Sequence, residues 1–250
     1  MGLLGTLTGG SPETSYAAVL SRQLPAWSAI TEATVPDVKI LDEIPVEPGA
    51  YYIMDRAYLD FRRLNKLHQA NAKFVVRSKR HVRFYVAQSS PVDKTCGLRC
   101  DQRIRINSED SKNLYRSCLR RIRFRDLEEN RSLAFLTNDF DLPALVICEL
   151  YKRRWQVELF FKWIKQHLRI RNFFGHTVNA IQCQVWTAIC AYLLVAITKK
   201  RLQLDKSLYE ILQIVSISAI EQLPLAELLS ATPGKALTLL TQNTPLLLAF

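Results

Sequence analysis

Apolar and polar positions in the first part of the chain follow a pattern that predicts strands joined by helices. The stretch 27–35, WSAITEATV, has β-favouring residues in alternation and predicts a strand, and PDVKILDEI at 36–44 predicts a short connecting helix. After a Pro-Gly turn, the compact apolar run 50–54 leads directly into Asp55. The pattern therefore predicts a buried strand that ends at Asp55.

The periodicity changes further along the chain. Positions 60–70 have helical spacing, and KFVVR at 73–77 predicts another strand, so this part has an alternating α/β layout. Between 80 and 137 the chain has short strand-like pieces separated by polar turns. From Pro143 onward the spacing is mostly helical, with breaks predicted near Gly175 and Asp205.

These patterns predict an α/β fold with four segments. We expect an irregular N-terminus at 1–22, an α/β core formed by 23–79 and 137–200, a β-rich insertion at 80–136 and a helical C-terminal segment at 201–250. The last segment carries Leu and Ile at helical spacing. Its helices would either pack on the core or form a homodimer interface, and the sequence leaves both open.

Basic residues outnumber acidic ones, with 34 Lys and Arg against 23 Asp and Glu and a formal charge of +11. Most of the excess lies between Arg56 and Arg171, whereas 202–250 carries two lysines and four acidic residues. A positive surface attracts phosphate backbones without regard to base sequence. The arginine-rich strands of 80–137 could line DNA, and an ordinary solvated strand face is the alternative.

Cysteine usage and hydropathy favour a cytoplasmic protein. The six cysteines are too sparse and irregular for a disulfide framework, and no second pair with zinc-like spacing follows Cys96 and Cys100. No secretory signal is predicted at the N-terminus. The most apolar stretch, 185–197, is shorter than the ~20 residues that span a bilayer, so we expect a buried helix and no membrane contact.

One motif combines a carboxylate with two cations and a phenol. In YKRRWQVELFFKWIK, a continuous helix would place Tyr151, Arg154, Glu158 and Lys165 on one stripe, within an arc of roughly 60°. Four such groups could converge on one phosphate and one metal ion. The alternative is an ordinary Arg154–Glu158 ion pair on a solvated helix.

These residues resemble a known family, the DDE transposases of bacterial insertion sequences, of the insertion-sequence-four type. That family has a Tyr-x2-Arg-x3-Glu-x6-Lys signature, and the motif above reproduces all four positions and spacings. The segment Asp55-Arg56-Ala57-Tyr58 is similar to the family's motif around its second catalytic Asp. The resemblance extends from roughly Ala29 to Leu229.

The resemblance implies an RNase H-like core with a β-strand insertion, acting in the nucleoid on insertion-sequence ends and target DNA. It implies that Asp55 and Glu158 are catalytic metal ligands, in a site that holds two Mg2+ or Mn2+ ions in an intact family member. Tyr151, Arg154 and Lys165 would bind the DNA phosphate near the cleaved bond. Carboxylate oxygens suit such ions, and arginine can grip a phosphate with two hydrogen bonds.

The chain departs from the family pattern at the first catalytic Asp. That residue lies on the first strand of the family's core, but residues 1–22 contain no Asp. Asp37 and Asp42 lie in a predicted connecting segment, so we expect neither to replace it. This loss favours a second hypothesis, an inactive, truncated transposase that only binds DNA or a partner. A third hypothesis is a metal-dependent nuclease without strand transfer, which the same RNase H-like site could support.

Overall fold

A mixed sheet forms the centre of the first of two structural units, Met1–Trp163, and the second unit is Ile164–Phe250. The computed structural model describes residues 2–8, 14–21, 24–32, 36–109, 111–126, 129–168, 175, 177–218 and 229. The strands are β1 (Gly2–Thr8), β2 (Thr14–Ser21), β3 (Leu24–Glu32), β4 (Tyr51–Met54), β5 (Lys73–Arg77), β6 (Phe84–Ser90), β7 (Leu98–Ile106), β8 (Leu119–Asp126) and β9 (Arg131–Thr137). The α-helices are α1 (Phe61–Gln69), α2 (Ala144–Lys152), α3 (Trp155–His167), α4 (Val178–Arg201) and α5 (Leu208–Ser218), with 3-10 helices at Asp37–Asp42 and Arg56–Tyr58.

The nine described strands lie in the order β3-β2-β1-β4-β5-β9-β8-β7-β6. Strand β4 is parallel to both β1 and β5, and the other neighbours are antiparallel. Because parallel strands end at the same edge of a sheet, Asp55 and the end of β5 lie side by side. Strands β6 to β9 occupy the segment predicted to be β-rich, and they extend the core sheet through the β5–β9 pair.

The N-terminal segment differs from its prediction. We expected an irregular stretch at 1–22, but β1 and β2 form there and pair over Leu3–Thr8 and Ser15–Leu20. Glycines at positions 2 and 5 weaken the local strand pattern. The strand conformation is supported by hydrogen bonds to neighbouring strands, which the local sequence does not contain. The predicted strand at 27–35 is present as β3 and begins at Leu24.

The sheet has a buried layer on each side. On the first side, which we call the α1 face, alternate residues of five strands join one core with helix α1: Met54, Phe74, Val76, Ile104, Leu119, Leu136, Leu64 and Leu67. On the second side, the α2 face, helix α2 packs on β4 and β5. Ile53, Val75 and Phe135 are fully buried and alternate with α1-face residues of their strands.

A buried carboxylate fixes the chain where it passes from β9 toward α2. Asp139 is 1% exposed, and it accepts hydrogen bonds from the Tyr51 hydroxyl and from the backbone N–H groups of Asp141 and Leu142. Burial alone would raise the pKa of Asp139, but these hydrogen bonds and the charge of Lys73 lower that pKa overall. The ionised carboxylate thus ties β4 to the start of the helix that carries Tyr151.

Gly97 makes a close backbone approach at the start of β7. Its φ of +90° lies in the region that favours glycine, and a Cβ atom there would lie 2.5 Å from the backbone oxygen of Arg125. The Arg125 N–H donates to the Gly97 carbonyl at 2.8 Å. A side chain at position 97 would therefore disturb the junction between β7 and the end of β8.

The second unit contains helices α4 and α5, which contact each other. Val195, Ile211 and Leu229 form its buried cluster, and the Lys206 ammonium donates to the Leu229 carbonyl at 2.8 Å. The breaks predicted near Gly175 and Asp205 agree with the structure, since neither residue is in a helix.

Helix α4 is longer than the apolar stretch 185–197 considered in the sequence. Its 24 residues are long and apolar enough to cross a bilayer by length and composition, and 33% of its apolar window is buried. Core helices pass the same test, so this is weak evidence for a membrane span. The helix is longer than the apolar stretch because polar residues on both sides of that stretch are also helical.

Candidate active site

Asp55 lies at the junction between a buried strand and a short helix. Strand β4 ends at Met54, which is fully buried, and Asp55 caps the 3-10 helix Arg56–Tyr58. Its Oδ1 atom accepts a hydrogen bond from the Arg56 N–H at 2.7 Å. The side chain is half-buried, so the strand holds the carboxylate in place while leaving it accessible.

Tyr151 connects Asp55 with the signature motif. Its hydroxyl donates to Asp55 Oδ1 at 3.1 Å, although the two residues are 96 positions apart. The ring packs against Phe135 of β9, with centroids 4.6 Å apart, and the side chain is buried. Burial and the negative charge of Asp55 raise the pKa of Tyr151 to about 12. At neutral pH the phenol therefore stays protonated and acts as a donor.

Arg154 and Glu158 form the second half of the cluster. The Arg154 Nη2 atom donates to Glu158 Oε1 at 2.6 Å, and the guanidinium lies 5.8 Å from the centre of the Tyr151 ring. Burial would lower the pKa of Arg154, but the Glu158 hydrogen bond and the charges of Glu158 and Asp55 raise it overall. The Nε atom of Arg154 is buried and has no hydrogen-bond partner among the described residues. A buried donor without a partner suits an anionic ligand.

The prediction of one continuous helix through the signature was wrong. Helix α2 ends at Lys152, Arg154 lies in a turn, and Glu158 and Lys165 are in α3. In the turn, Arg154 N–H donates to the Tyr151 carbonyl at 3.0 Å, and this three-residue step replaces the four-residue step of an α-helix. Tyr151, Arg154 and Glu158 meet through short-range contacts across this turn, at steps of three and four residues, and only the contact with Asp55 is tertiary.

Lys165 follows Glu158 by seven residues along α3, and it belongs to the second unit. The phosphate-binding role expected for Lys165 stays a prediction. The structure links Asp55 to Tyr151 and Arg154 to Glu158 by hydrogen bonds, and the Arg154 guanidinium lies near the Tyr151 ring.

The residues of this cluster lie within a segment that matches a known protein family. The family described as Transposase DDE domain matches residues 17–194, which include Asp55 and the whole signature. The chain belongs to the family of insertion-sequence DDE transposases. The recognition drawn from the signature residues is thereby confirmed at the level of this family.

Three relatives named as transposases illustrate this membership. The chain is 36% identical to transposase y4zB of Sinorhizobium fredii over 68% of its own length and 49% of that protein. It is 31% identical to a transposase for insertion sequence element IS5377 of Geobacillus stearothermophilus, over 57% of the chain and 37% of the relative. It is 28% identical to a transposase for element IS4SA of Synechocystis, over 57% and 39%. The chain spans half or less of the length of each relative.

Arg77 is a further cation near Tyr151 that the sequence analysis did not single out. It is the last residue of β5, and the register pairs Met54 with Val76, so Asp55 and Arg77 follow on adjacent parallel strands. Its charge acts on Tyr151, where it opposes the rise of the tyrosine pKa. The sequence contained a usable signal, because two predicted core strands each end at a charged residue.

The Asp42 side chain forms ion pairs with helix α1. Its carboxylate accepts from Arg63 at 2.6 Å and from Lys66 at 2.8 Å. Hydrogen bonds from Lys66 and then Arg63 lower the pKa of Asp42. Both cations come from helix α1, so this carboxylate anchors the 3-10 helix Asp37–Asp42 to α1. The expectation that Asp42 does not replace the first catalytic Asp stays a prediction.

The cluster contains two carboxylates that could bind metal ions. Carboxylate oxygens are suitable ligands for Mg2+, and Asp55 and Glu158 are the two carboxylates linked through Tyr151 and Arg154. Within the described part of the chain, no group of three or more His, Cys, Asp or Glu side chains could hold an ion. The described residues therefore do not form a metal site of three or more protein ligands, and ion binding by Asp55 and Glu158 stays a proposal.

Proposed function

We propose that this chain carries the DNA cleavage and strand-transfer site of an insertion-sequence-four type transposase, with its first catalytic carboxylate lacking. The observation that carries the proposal is the Tyr151–Asp55 hydrogen bond, because it joins the strand-end Asp to the Arg154–Glu158 pair. The order β3-β2-β1-β4-β5, with β2 antiparallel to β1, supports an RNase H-like core as the scaffold.

The residues of the cluster have separate roles in this proposal. Asp55 and Glu158 would hold a divalent ion, which supplies Lewis-acid activation of the phosphodiester when bound. The buried Nε–H of Arg154 is a donor for a phosphate oxygen. The protonated Tyr151 hydroxyl would donate to a phosphate oxygen by exchanging its hydrogen bond to Asp55 for one to the phosphate. Arg77 and Lys165 add positive charge where negative charge develops during an in-line displacement.

Strand β1 lacks a carboxylate where the family's first catalytic Asp would lie. None of its seven residues is acidic, although it lies beside β4 in parallel. The register pairs Leu3 with Ile53, and the same register continued by two residues would set position 5 opposite Asp55, one residue past the end of β4. Position 5 is a glycine. A carboxylate at this point would complete a three-acid set, so a chain without it should bind ions weakly.

This feature also supports the second candidate function, a transposase remnant that binds DNA without cutting it. Insertion-sequence ends and target DNA are the proposed partners in both cases. A homodimer, a cytoplasmic and nucleoid-associated location and the absence of membrane contact stay predictions.

Calorimetric titration with Mg2+ and Mn2+ tests the proposal. The full chain is compared with Asp55→Ala, Glu158→Ala and Gly5→Asp, and Glu109→Ala is the control because Glu109 is an exposed carboxylate in the turn after β7. We expect weak binding of one ion that both alanine variants abolish, and at least tenfold tighter binding with Gly5→Asp. Circular dichroism and thermal unfolding verify that each variant is folded.

Two results would contradict the proposal. Ion binding that survives both Asp55→Ala and Glu158→Ala would place the metal site elsewhere. Tight binding of two ions by the unmodified chain, together with metal-dependent cleavage of duplex DNA, would show that the carboxylate set is complete without position 5.

A further inference from the structure

Strand β8 carries three arginines at alternate positions, Arg121, Arg123 and Arg125, which we call the arginine row. Arg121 is in register with Leu136 of β9, and Leu136 belongs to the core on the α1 face. Since side chains alternate along a strand, all three arginines lie on that face. Arg121 is half-buried, and Arg123 and Arg125 are exposed.

The acidic residues of the same strands lie on the opposite face. Asp101 of β7 forms an ion pair with Arg120 at 2.7 Å, and Asp126 of β8 lies 3.7 Å from the Lys152 ammonium of helix α2. Each of these carboxylates is thus neutralised on the α2 face. The two faces of the strand pair differ in net charge because the acids and the arginine row are on different sides.

No ion pair involves the arginine row within the described residues. Arg121 donates to the Gln102 side chain at 2.9 Å and lies over the Phe84 ring, and Arg125 donates to Asn130 at 2.8 Å. These contacts orient the side chains without neutralising them. Burial and then the positive charge of Arg123 lower the pKa of Arg121, so the neighbouring cations repel each other.

Spacing and chemistry identify the partner. Alternate residues of a strand are about 6.8 Å apart, so the row extends over roughly 14 Å. Guanidinium groups bind phosphate through paired hydrogen bonds, and a straight row of them matches a chain of regularly spaced phosphates. An anionic backbone would also relieve the repulsion within the row. Duplex DNA presents such a backbone.

We infer that the arginine row is a second DNA-binding surface, which binds the phosphate backbone of a duplex without reading its bases. It lies on the sheet face opposite the Tyr151–Phe135 contact, so it holds a different duplex segment from the one at Asp55. Only the choice of DNA among polyanions rests on the proposed function. A chain with two such surfaces can hold two stretches of DNA at once.

Fluorescence anisotropy with a labelled 30-base-pair duplex of arbitrary sequence tests the inference across a range of salt concentrations. The double variant Arg123→Gln/Arg125→Gln is compared with Arg62→Gln/Arg201→Gln, which removes the same charge from exposed arginines outside the row. We expect the row variant to lose at least about tenfold in affinity near 0.1 M salt. Its plot of log affinity against log salt should be shallower by about 2, since each phosphate contact contributes about 0.9.

Further measurements separate the possible failures. Arg123→Lys/Arg125→Lys should restore most of the salt slope, and urea midpoints verify that each variant is folded. Equal losses in the row and control variants would overturn the inference, and a loss in Arg154→Gln alone would overturn it while leaving the proposed function intact. If the unmodified chain does not bind the duplex, both fail. If RNA competes through the row as strongly as DNA, the assignment to duplex DNA is wrong.

Discussion

The contact between Tyr151 and Asp55 can be measured as a coupling free energy. The hydroxyl is 3.1 Å from the carboxylate, and Tyr151 is only 7% exposed. Hydrogen bonds to charged groups contribute about 1.5–3 kcal/mol, and the half exposure of Asp55 places this one near the lower end. Tyr151→Phe removes the donor, and Asp55→Ala removes the acceptor together with its cap on the following 3-10 helix.

A double-mutant cycle, measured by urea unfolding, separates the free energy of this contact from the other effects of each substitution. We expect the double variant to be less destabilised than the sum of the single variants by about 1–2 kcal/mol. In thermal unfolding, each kcal/mol corresponds to about 2–4 °C for a domain of this size. The measurement uses neither DNA nor metal, so it tests the geometry of the site independently of its activity.

Tyr115→Phe provides the matched control for this cycle. Tyr115 is 1% exposed, and its hydroxyl is buried without a hydrogen-bond partner among the described residues. Combined with Asp55→Ala, Tyr115→Phe should have an additive effect, and by itself it should cost little. Additivity within about 0.3 kcal/mol for the Tyr151 cycle would show that the two residues do not meet, and the site would have to be reconsidered.

Three further predictions concern stability. Asp139→Ala leaves the Tyr51 hydroxyl and two backbone N–H groups without their acceptor, so it should lower the free energy of unfolding in urea by about 3–5 kcal/mol; a loss under 1 kcal/mol would show that the network is unimportant. Gly97→Ala should destabilise the protein by at least about 1–2 kcal/mol more than Gly49→Ala. Both glycines have a positive φ, but only at position 97 would a Cβ atom meet neighbouring backbone. Equal losses of unfolding free energy in the two variants would argue against the clash. The pKa of Tyr151 is raised to about 12, so the contribution of Tyr151 to stability is complete below pH 10 and is lost as pH rises through 12. Between pH 10 and 12, Tyr151→Phe should therefore lose less stability than the unmodified chain. Parallel curves of unfolding free energy against pH for the two proteins would refute this.

The local sequence pattern was sufficient to predict a strand where apolar composition and periodicity indicated the same element. The run 50–54 and KFVVR at 73–77 are apolar, short and bounded by turns, and they form β4 and β5 at those positions. The same reasoning placed Asp55 at a strand end. The spacing of the signature identified the family, because a spacing of functional residues is a property of the chain itself.

Other features depend on contacts that no local pattern contains. Position 151 meets position 55 only because α2 packs on the sheet, and the turn at Arg154 separates two helices where the periodicity continues unbroken. Strand β1 was not predicted, because its glycines weaken the local strand pattern and the strands that pair with it lie in other parts of the chain.

The sequence by itself determined the order of the main core elements, the basic charge and the identity of the signature residues, since these follow from residue types and their spacing. Tertiary structure decided which of those residues meet, that Arg77 joins them, and that the arginine row lies on one face with its acids on the other. The physical reason is that strand register and helix packing set distances between residues far apart in the chain. Those distances determine which charges act together.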